Sequence, residues 1–218
     1  EGLVEGHKTN LLKRVMTSLV VVIPIFLILL YQNLVAFFIL ITIACFIGIY
    51  EWIKNNFRMR LLGFFLILNF GFWSVFFVNG SHGFTDNANF FWYGVIILNT
   101  AIFDSVAYFV GSNFGTIFIV KKISPNKTLE GLLGGVLASV LFGILIASID
   151  GQYFMIVGYF ILGCISAFFG DLLISFLKRQ SGTKDTGNIL PGHGGVLDRL
   201  DSHLIATPIL ILVALIQI

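Results

Sequence analysis

Residues 153–177, YFMIVGYFILGCISAFFGDLLISFL, form an apolar stretch in which Asp171 is the sole charged side chain. About 20 mostly apolar residues cross the hydrocarbon core of a bilayer as a helix, because lipid cannot hydrogen-bond exposed backbone groups. The residues that follow, 178–202, read KRQSGTKDTGNILPGHGGVLDRLDS, and we call them the polar loop. The sequence therefore predicts a membrane-spanning helix that holds one carboxylate and ends in a dense polar segment.

The rest of the chain is equally apolar. Hydrophobic residues make up 57% of the 218 positions and charged residues 11%, and the mean hydropathy is +0.97, outside the balance of soluble domains. The stretches that qualify as spans are 15–30, 34–53, 61–78, 90–111, 131–149, 153–177 and 203–218. Their apolar residues do not alternate with polar ones, which argues against a β-barrel. We predict an all-α, polytopic membrane bundle with about seven transmembrane helices.

The positive charges provide a separate test of this topology. If the N-terminus is cytoplasmic, all 13 Lys and Arg fall on the cytoplasmic face, whereas the opposite loops carry only Asp86 and Asp150. Cytoplasmic loops of membrane proteins are enriched in Lys and Arg. We therefore expect one membrane-embedded domain over residues 1–218, with N-terminal helices in 15–112 and catalytic helices and cytoplasmic loops in 113–218.

Two carboxylates, Asp104 and Asp171, interrupt the predicted spans. A carboxylate in lipid costs at least a few kcal/mol, so it usually faces a bundle interior or a watered cavity and serves function. The alternative is an Asp that pairs with a neighbouring helix for packing. At 1.5 Å per residue, both lie about 10 Å below the cytoplasmic boundary. Ser175 and Lys178 continue the Asp171 stripe at i+4 and i+7.

Glycines continue the Asp104 stripe in the same way. Tyr108, Gly111 and Gly115 follow Asp104 at i+4, i+7 and i+11. The two glycines either allow close packing between helices or offer bare backbone to a ligand.

Glu51, which closes the second span, is expected to be a solvated interfacial anchor without a catalytic role.

The polar loop combines cations, acids and glycines: Lys178, Arg179, Lys184, Arg199, Asp185, Asp198, Asp201, Gly187, Gly192, Gly194 and Gly195. Glycine-rich loops can bring backbone N–H groups to an anion, although they can also be merely flexible. Phosphoryl transfer relies on positioning and charge neutralisation, and Mg²⁺ prefers one or two carboxylates with water and substrate phosphate. Asp171 and Asp198 would suffice as ligands. Asp198 and Asp201 are spaced to share one helical face, with Arg199 turned away toward another partner.

Two further segments have competing interpretations. His193 is interpreted as a hydrogen-bond donor to phosphate, with a structural role as the alternative. Ser124 and Pro125 predict an N-cap and first helical position ahead of the fifth span. Lys127 and Thr128 near that helix start either bind a triphosphate or, in the case of the lysine, contact anionic lipid headgroups.

Residues 175–201, SFLKRQSGTKDTGNILPGHGGVLDRLD, resemble over their whole length the signature of the phosphatidate cytidylyltransferases, also called CDP-diacylglycerol synthases. Two upstream segments are similar to the other typical segments of that family. They are DSVAYFVGSNFG at 104–115 and SPNKTLEGLLGG at 124–135. The resemblance covers roughly the C-terminal half of the chain.

The resemblance implies that phosphatidate and CTP react to CDP-diacylglycerol and pyrophosphate in phospholipid biosynthesis, with Mg²⁺ and optionally a second cation. It implies a bacterial inner-membrane enzyme whose site faces the cytoplasm, a homodimer, and no nucleic-acid partner. Asp171 and Asp198 would bind the metal. The catalytic set would be Asp171, Asp198, Lys178, Arg179, Lys184 and Asp185. Substrate contacts would come from Asp104, Ser175, Lys127, Thr128, His193, Gly194, Gly195, Arg199 and Asp201.

Two other functions use similar architecture. A CTP-dependent polyprenol or phytol kinase would transfer the γ-phosphoryl group, and the complete cytidylyltransferase pattern argues against it. A transporter would also place acids in spans, but such groups tend to lie near the midplane of repeated halves, and this sequence shows no internal repeat.

Overall fold

A computed structural model of the chain describes residues 2–80, 86–150, 153–192 and 194–216. Its secondary structure is helical, with two isolated β-bridges in the loops, Phe118 with Thr128 and Leu190 with Gly194. The helices are α1 (Gly2–Tyr31), α2 (Leu34–Lys54), α3 (Arg60–Val78), α4 (Asp86–Phe114), α5 (Leu129–Asp150), α6 (Tyr153–Gln180), α7 (Leu197–Leu200) and α8 (His203–Ile216).

Over its described residues, each predicted span lies within one helix, and α7 is an additional single turn inside the polar loop. Among the described residues, α2 to α6 each contain a segment long and apolar enough to cross a membrane. The apolar segments in α1 and α8 are shorter, Met16–Tyr31 and His203–Ile216. The chain is therefore an integral membrane protein with an all-helical fold, while the count of seven spans and the cytoplasmic N-terminus stay predictions.

The helices pack in an order that differs from their order along the chain. α4 packs on α5, α5 on α6, α6 on α8, α8 on α3 and α3 on α2, while α1 lies against α2 and α4. Large apolar side chains such as Phe37, Ile67 and Phe160 are fully buried between them. Many others, including Phe46 and Leu141, are exposed, as expected for a bundle whose solvent is lipid. The single turn α7 contacts α2 and α8.

The crossing of α4 and α5 depends on two glycines. A Cβ at Gly131 would lie 2.6 Å from the Ala107 carbonyl oxygen and 3.1 Å from the Gly111 Cα. A Cβ at Gly111 would lie 2.9 Å from the Thr128 hydroxyl oxygen. Small residues let membrane helices approach closely enough for extensive packing. Close helix packing, one of the two interpretations of Gly111, is therefore confirmed, and it brings Lys127 near α4.

We expect Gly131→Ala to destabilise the protein, because the new methyl would overlap the rigid backbone of α4. Overpacking of this kind costs about 1–3 kcal/mol. Thermal unfolding of detergent-purified protein measures the effect. Gly158→Ala is the matched control, because a Cβ there meets nothing within 4 Å. Equal melting temperatures for the two variants would contradict this account of the crossing.

The C-terminal end of α2 is held by aromatic packing. Trp52 is completely buried, and a Cβ at Gly63 would come within 2.1 Å of its indole ring, so only glycine lets α3 pass so close. Phe57, in the turn after α2, packs edge-on against Trp52 with ring centroids 5.1 Å apart. These contacts give the last turn of α2, which contains Glu51, a defined position beside the polar loop.

Candidate active site

A cavity of about 440 Å³ lies between α4, α5, α6 and the segment that joins α7 to α8. It is lined by the charged residues Asp104, Lys127, Asp171, Asp198, Arg199 and Asp201. Asp104 comes from α4, Lys127 from the turn before α5, and Asp171 from α6. The structure thus brings together residues that are far apart in the chain, including both carboxylates that interrupt the predicted spans.

Lys127 forms an ion pair with Asp171 in this cavity. Its Nζ lies 2.8 Å from Asp171 Oδ2 and 4.7 Å from the centroid of the Phe168 ring. The other carboxylate oxygen, Asp171 Oδ1, accepts a 3.0 Å hydrogen bond from the Ser175 hydroxyl. Lys127 is therefore directed into the cavity, and its contact with anionic lipid headgroups stays a prediction. A contact between Lys127 and a triphosphate stays a prediction.

Thr128 is the residue that caps α5. Its hydroxyl oxygen accepts a 3.2 Å hydrogen bond from the Gly131 N–H, and α5 begins at Leu129. The prediction of Ser124 as the N-cap is wrong. The reason is that the backbone pairs before the helix starts: Ile119 N–H donates to the Lys127 carbonyl, and Leu129 N–H donates to that of Ile117. Thr128 is buried, and its proposed contact with a triphosphate stays a prediction.

Asp104 and Asp201 place two further carboxyl groups beside Asp171. Ser202 lines the cavity beside Asp104, and its N–H donates to Asp201 Oδ1 at 2.9 Å. Burial, together with the nearby carboxylates of Asp171 and Asp104, raises the pKa of Asp201 above its ordinary value. A site in which carboxylates repel one another in this way favours a bound cation.

Asp198 lies within the polar loop and organises it. Its Oδ1 accepts a 2.9 Å hydrogen bond from Lys178 Nζ, while Oδ2 accepts bonds from the N–H groups of Thr186 at 2.8 Å and Gly195 at 2.9 Å. Burial alone would raise the pKa of Asp198, but Lys178 and these N–H groups more than offset it, so the pKa is lowered. Asp198 is therefore an ionised, buried carboxylate at the cavity wall.

Glu51 holds the same loop from the side of α2. Only 1% of it is exposed. Its Oε1 accepts from the Val196 N–H at 3.0 Å, and Oε2 accepts from the Leu197 N–H at 2.8 Å and the Thr186 hydroxyl at 3.0 Å. The expectation of a solvated anchor is wrong, because the polar loop folds over the end of α2. The sequence held one signal for this role of Glu51: backbone N–H groups of the polar loop need acceptors wherever they become buried.

Three of the predicted catalytic residues are exposed and do not line the cavity. Arg179 is exposed, and it donates from Nε to the Ile123 carbonyl at 3.1 Å and from Nη1 to the Thr183 carbonyl at 3.3 Å. It therefore joins the polar loop to the loop before α5. Lys184 and Asp185 are exposed on the surface of the polar loop. Their assignment to catalysis stays a prediction that these positions do not support.

The remaining predicted residues have mixed outcomes. Arg199 lines the same cavity as Asp198 and Asp201, and the predicted direction of its side chain toward another partner stays a prediction. Gly194 has φ +84°, and a Cβ there would lie 2.7 Å from Asp198 Oδ2, so glycine allows the loop to close on this carboxylate. His193 lies outside the described residues.

The donor set around Asp171 fits Mg²⁺. Among the described residues, no group of three or more His, Cys, Asp or Glu side chains is arranged to hold a metal ion. Mg²⁺ does not require such a cage, since it usually takes one or two carboxylates and completes its octahedron with water and substrate phosphate. The Asp171 carboxylate, with Asp104 and Asp201 beside it in the same cavity, provides donors of this kind.

Comparison with known proteins places this site in a family context. The family model described as "Cytidylyltransferase family" matches residues 54–217. The chain is 32% identical over 217 residues to a phosphatidate cytidylyltransferase of Rickettsia bellii, an alignment that covers 94% of this chain and 91% of that protein. It is 38% identical over 169 residues to the Bacillus subtilis phosphatidate cytidylyltransferase, covering 72% of this chain and 60% of that protein.

A third relative matches about half of the chain. The Helicobacter pylori phosphatidate cytidylyltransferase is 48% identical over 118 residues, which are 51% of this chain and 44% of that protein. This chain therefore spans less than two thirds of the Bacillus and Helicobacter proteins and nearly all of the Rickettsia protein. Because the family model covers most of the sequence, including the cavity and the polar loop, the chain belongs to the cytidylyltransferase family.

Proposed function

We propose that this protein transfers the cytidylyl group of CTP to phosphatidate, giving CDP-diacylglycerol and pyrophosphate. The observation that carries the proposal is the cavity in which Asp104, Asp171 and Asp201 meet Lys127 and Arg199 at the ends of membrane helices. Such a site serves a lipid phosphate and a charged nucleotide at once. Relatives that share this segment are named phosphatidate cytidylyltransferases, which supports the choice of substrates.

The reaction forms a bond between a phosphate oxygen of phosphatidate and the α-phosphorus of CTP. The bond from that phosphorus to the pyrophosphate oxygen breaks, and pyrophosphate leaves with the electron pair. The attacking oxygen is already anionic near neutral pH, so little general-base assistance is required. Catalysis then depends on positioning and on neutralisation of charge, as in other phosphoryl transfers.

The cavity residues supply those two requirements. Lys127 and Arg199 neutralise phosphate oxygens, and a phosphate that enters the cavity competes with Asp171 for the ammonium of Lys127. Asp171 and Asp198 are the proposed Mg²⁺ ligands. When bound, Mg²⁺ would offset charge on the phosphates and help to orient them. The acyl chains of the lipid can stay in the bilayer, because the proposed cavity lies at shallow depth beside the spanning helices.

The proposal also includes the number of spans, their orientation in the membrane and the oligomeric state. We infer seven spans with a cytoplasmic N-terminus, and a cytoplasmic site in the inner membrane of a bacterium, because the 13 Lys and Arg sort to one face under this threading. We also infer a homodimer, by analogy with the family. Cysteine labelling from either side of sealed vesicles tests the orientation, and the mass of the detergent-solubilised particle tests the dimer.

Radiolabelled CTP provides the direct test of function. Detergent-purified protein is incubated with Mg²⁺, phosphatidate and CTP labelled at the α-phosphate or at the γ-phosphate, and the lipids are then extracted. We expect α-label in the lipid and no γ-label. γ-Label on an added polyprenol, without α-label in phosphatidate, would instead establish a kinase. If folded protein transfers neither label but moves a lipid across sealed vesicles, the chain is a transporter.

A further inference from the structure

Two buried carboxylates hold the polar loop, Asp198 from within the loop and Glu51 from α2. Asp198 accepts the N–H groups of Thr186 and Gly195, whereas Glu51 accepts the Thr186 hydroxyl and the N–H groups of Val196 and Leu197. Asp198 belongs to the proposed site. Glu51 lies on α2, ahead of the matched family region at 54–217, and it does not line the cavity.

We propose that Glu51 is a positioning residue for the catalytic loop: it sets the placement of Asp198 and Arg199 by binding the two backbone N–H groups that precede them. The inference rests on the proposed function for its consequence in turnover. The N–H groups at the start of a helical turn have no partner within that turn. Glu51 supplies both acceptors with one rigid carboxylate, so a shift of Glu51 moves α7 as a unit.

Two glycines show how closely the polar loop fits around Glu51. A Cβ at Gly195 would lie 2.5 Å from each Glu51 carboxylate oxygen, and a Cβ at Gly187 would lie 2.8 Å from Oε1. Any larger residue at either position would displace the carboxylate or the loop. The two glycines therefore act together with Glu51, which gives them a role independent of substrate.

The position of Glu51 is itself fixed by neighbouring contacts. Asn55, the residue that follows α2, donates from Nδ2 to the Thr186 carbonyl at 2.6 Å and to the Glu51 carbonyl at 2.7 Å. The end of α2 therefore also binds a backbone carbonyl of the loop. Trp52, adjacent in sequence, is locked against Gly63 of α3. The helices α2 and α3 thus form a rigid support for the loop that carries Asp198.

Glu51→Gln tests this role with little change in shape. A Gln side chain has one acceptor oxygen, so its amide nitrogen must face an N–H group that Glu51 now binds. We expect kcat to fall by about 10- to 100-fold, with KM for CTP changing by less than about threefold, because outer contacts tune the placement of reacting groups. Glu51→Asp keeps both oxygens on a shorter stem and should recover part of the loss.

Lys54→Gln is the matched control, because it removes a charge from the same helix end. Lys54 packs over the exposed Tyr50 ring and forms no hydrogen bond or ion pair with the described residues of the polar loop. The Lys54→Gln variant should retain the kcat of the unmodified protein. Hydrogen exchange at residues 186–197 gives a second readout, and we expect faster exchange at 195–197 in Glu51→Gln only.

The two readouts separate this inference from the proposed function. An unchanged kcat per folded molecule in Glu51→Gln, or unchanged exchange at 195–197, would overturn the positioning role. If the unmodified protein transfers no cytidylyl group, the proposed function fails, and the exchange comparison still decides whether Glu51 positions the loop. A double-mutant cycle with Thr186→Val should show non-additive losses in kcat, because both changes act on the same carboxylate.

Discussion

Replacing Asp171 with asparagine is expected to lower cytidylyl transfer by about 100-fold or more while the protein stays folded. The carboxylate pairs with Lys127 at 2.8 Å and lines the cavity together with Asp104 and Asp201. Asparagine keeps the size and the hydrogen bond from Ser175, but it removes the negative charge that a Mg²⁺ site requires. The loss should therefore appear in turnover, with a small change in thermal stability.

A titration with Mg²⁺ gives the sharper measurement of this variant. If Asp171 holds the metal, Asp171→Asn should need a higher Mg²⁺ concentration for its residual activity. Asp86→Asn, at the opposite end of α4 from the cavity, is the matched control and should behave as the unmodified protein does. Near-normal turnover in Asp171→Asn at low Mg²⁺ would show that the metal assignment is wrong.

Asp198→Asn is expected to lower both activity and stability. Lys178 and Asp198 are 8% and 9% exposed, and their side chains meet at 2.9 Å, so the change leaves a buried ammonium without its counter-charge. Breaking a buried ion pair from one side costs about 3 kcal/mol or more. Thermal unfolding and radiolabel transfer, measured on the same preparation, report the two losses.

A double variant separates the structural role of Asp198 from its chemical role. Lys178→Met in the Asp198→Asn background removes the unpaired ammonium, while the asparagine oxygen can still accept from the N–H groups of Thr186 and Gly195. We expect the double variant to regain much of the melting temperature and none of the turnover. Recovery of turnover together with stability would mean that Asp198 serves only to support the loop.

The membrane bundle and the two intramembrane carboxylates were predictable from the chain alone. A span must be apolar over a fixed length because lipid offers no hydrogen bonds, so hydropathy locates helices such as α4 and α6 directly. The high cost of a charge in lipid marks Asp104 and Asp171 in the same way. Spacing also aligned Ser175 with Asp171, and the structure shows their hydrogen bond at 3.0 Å.

The contacts between residues on different helices were not predictable from the sequence. The ion pair of Lys127 with Asp171 depends on how α5 crosses α4 through Gly111 and Gly131. The start of α5 was misplaced at Ser124 because backbone pairing in the preceding loop delays the helix to Leu129. Local propensity does not include such competition between the loop and the helix.

The sequence by itself thus determined the membrane helices, the polar loop and the carboxylates that interrupt the spans, because these follow from local composition and the properties of lipid. Only the tertiary structure decided which acids hold the polar loop and which charged residues reach the cavity. Glu51 and Leu197 are joined by a hydrogen bond across a sequence separation of 146 residues. Such contacts follow from the packing of whole helices, which fixes the position of every side chain at their ends.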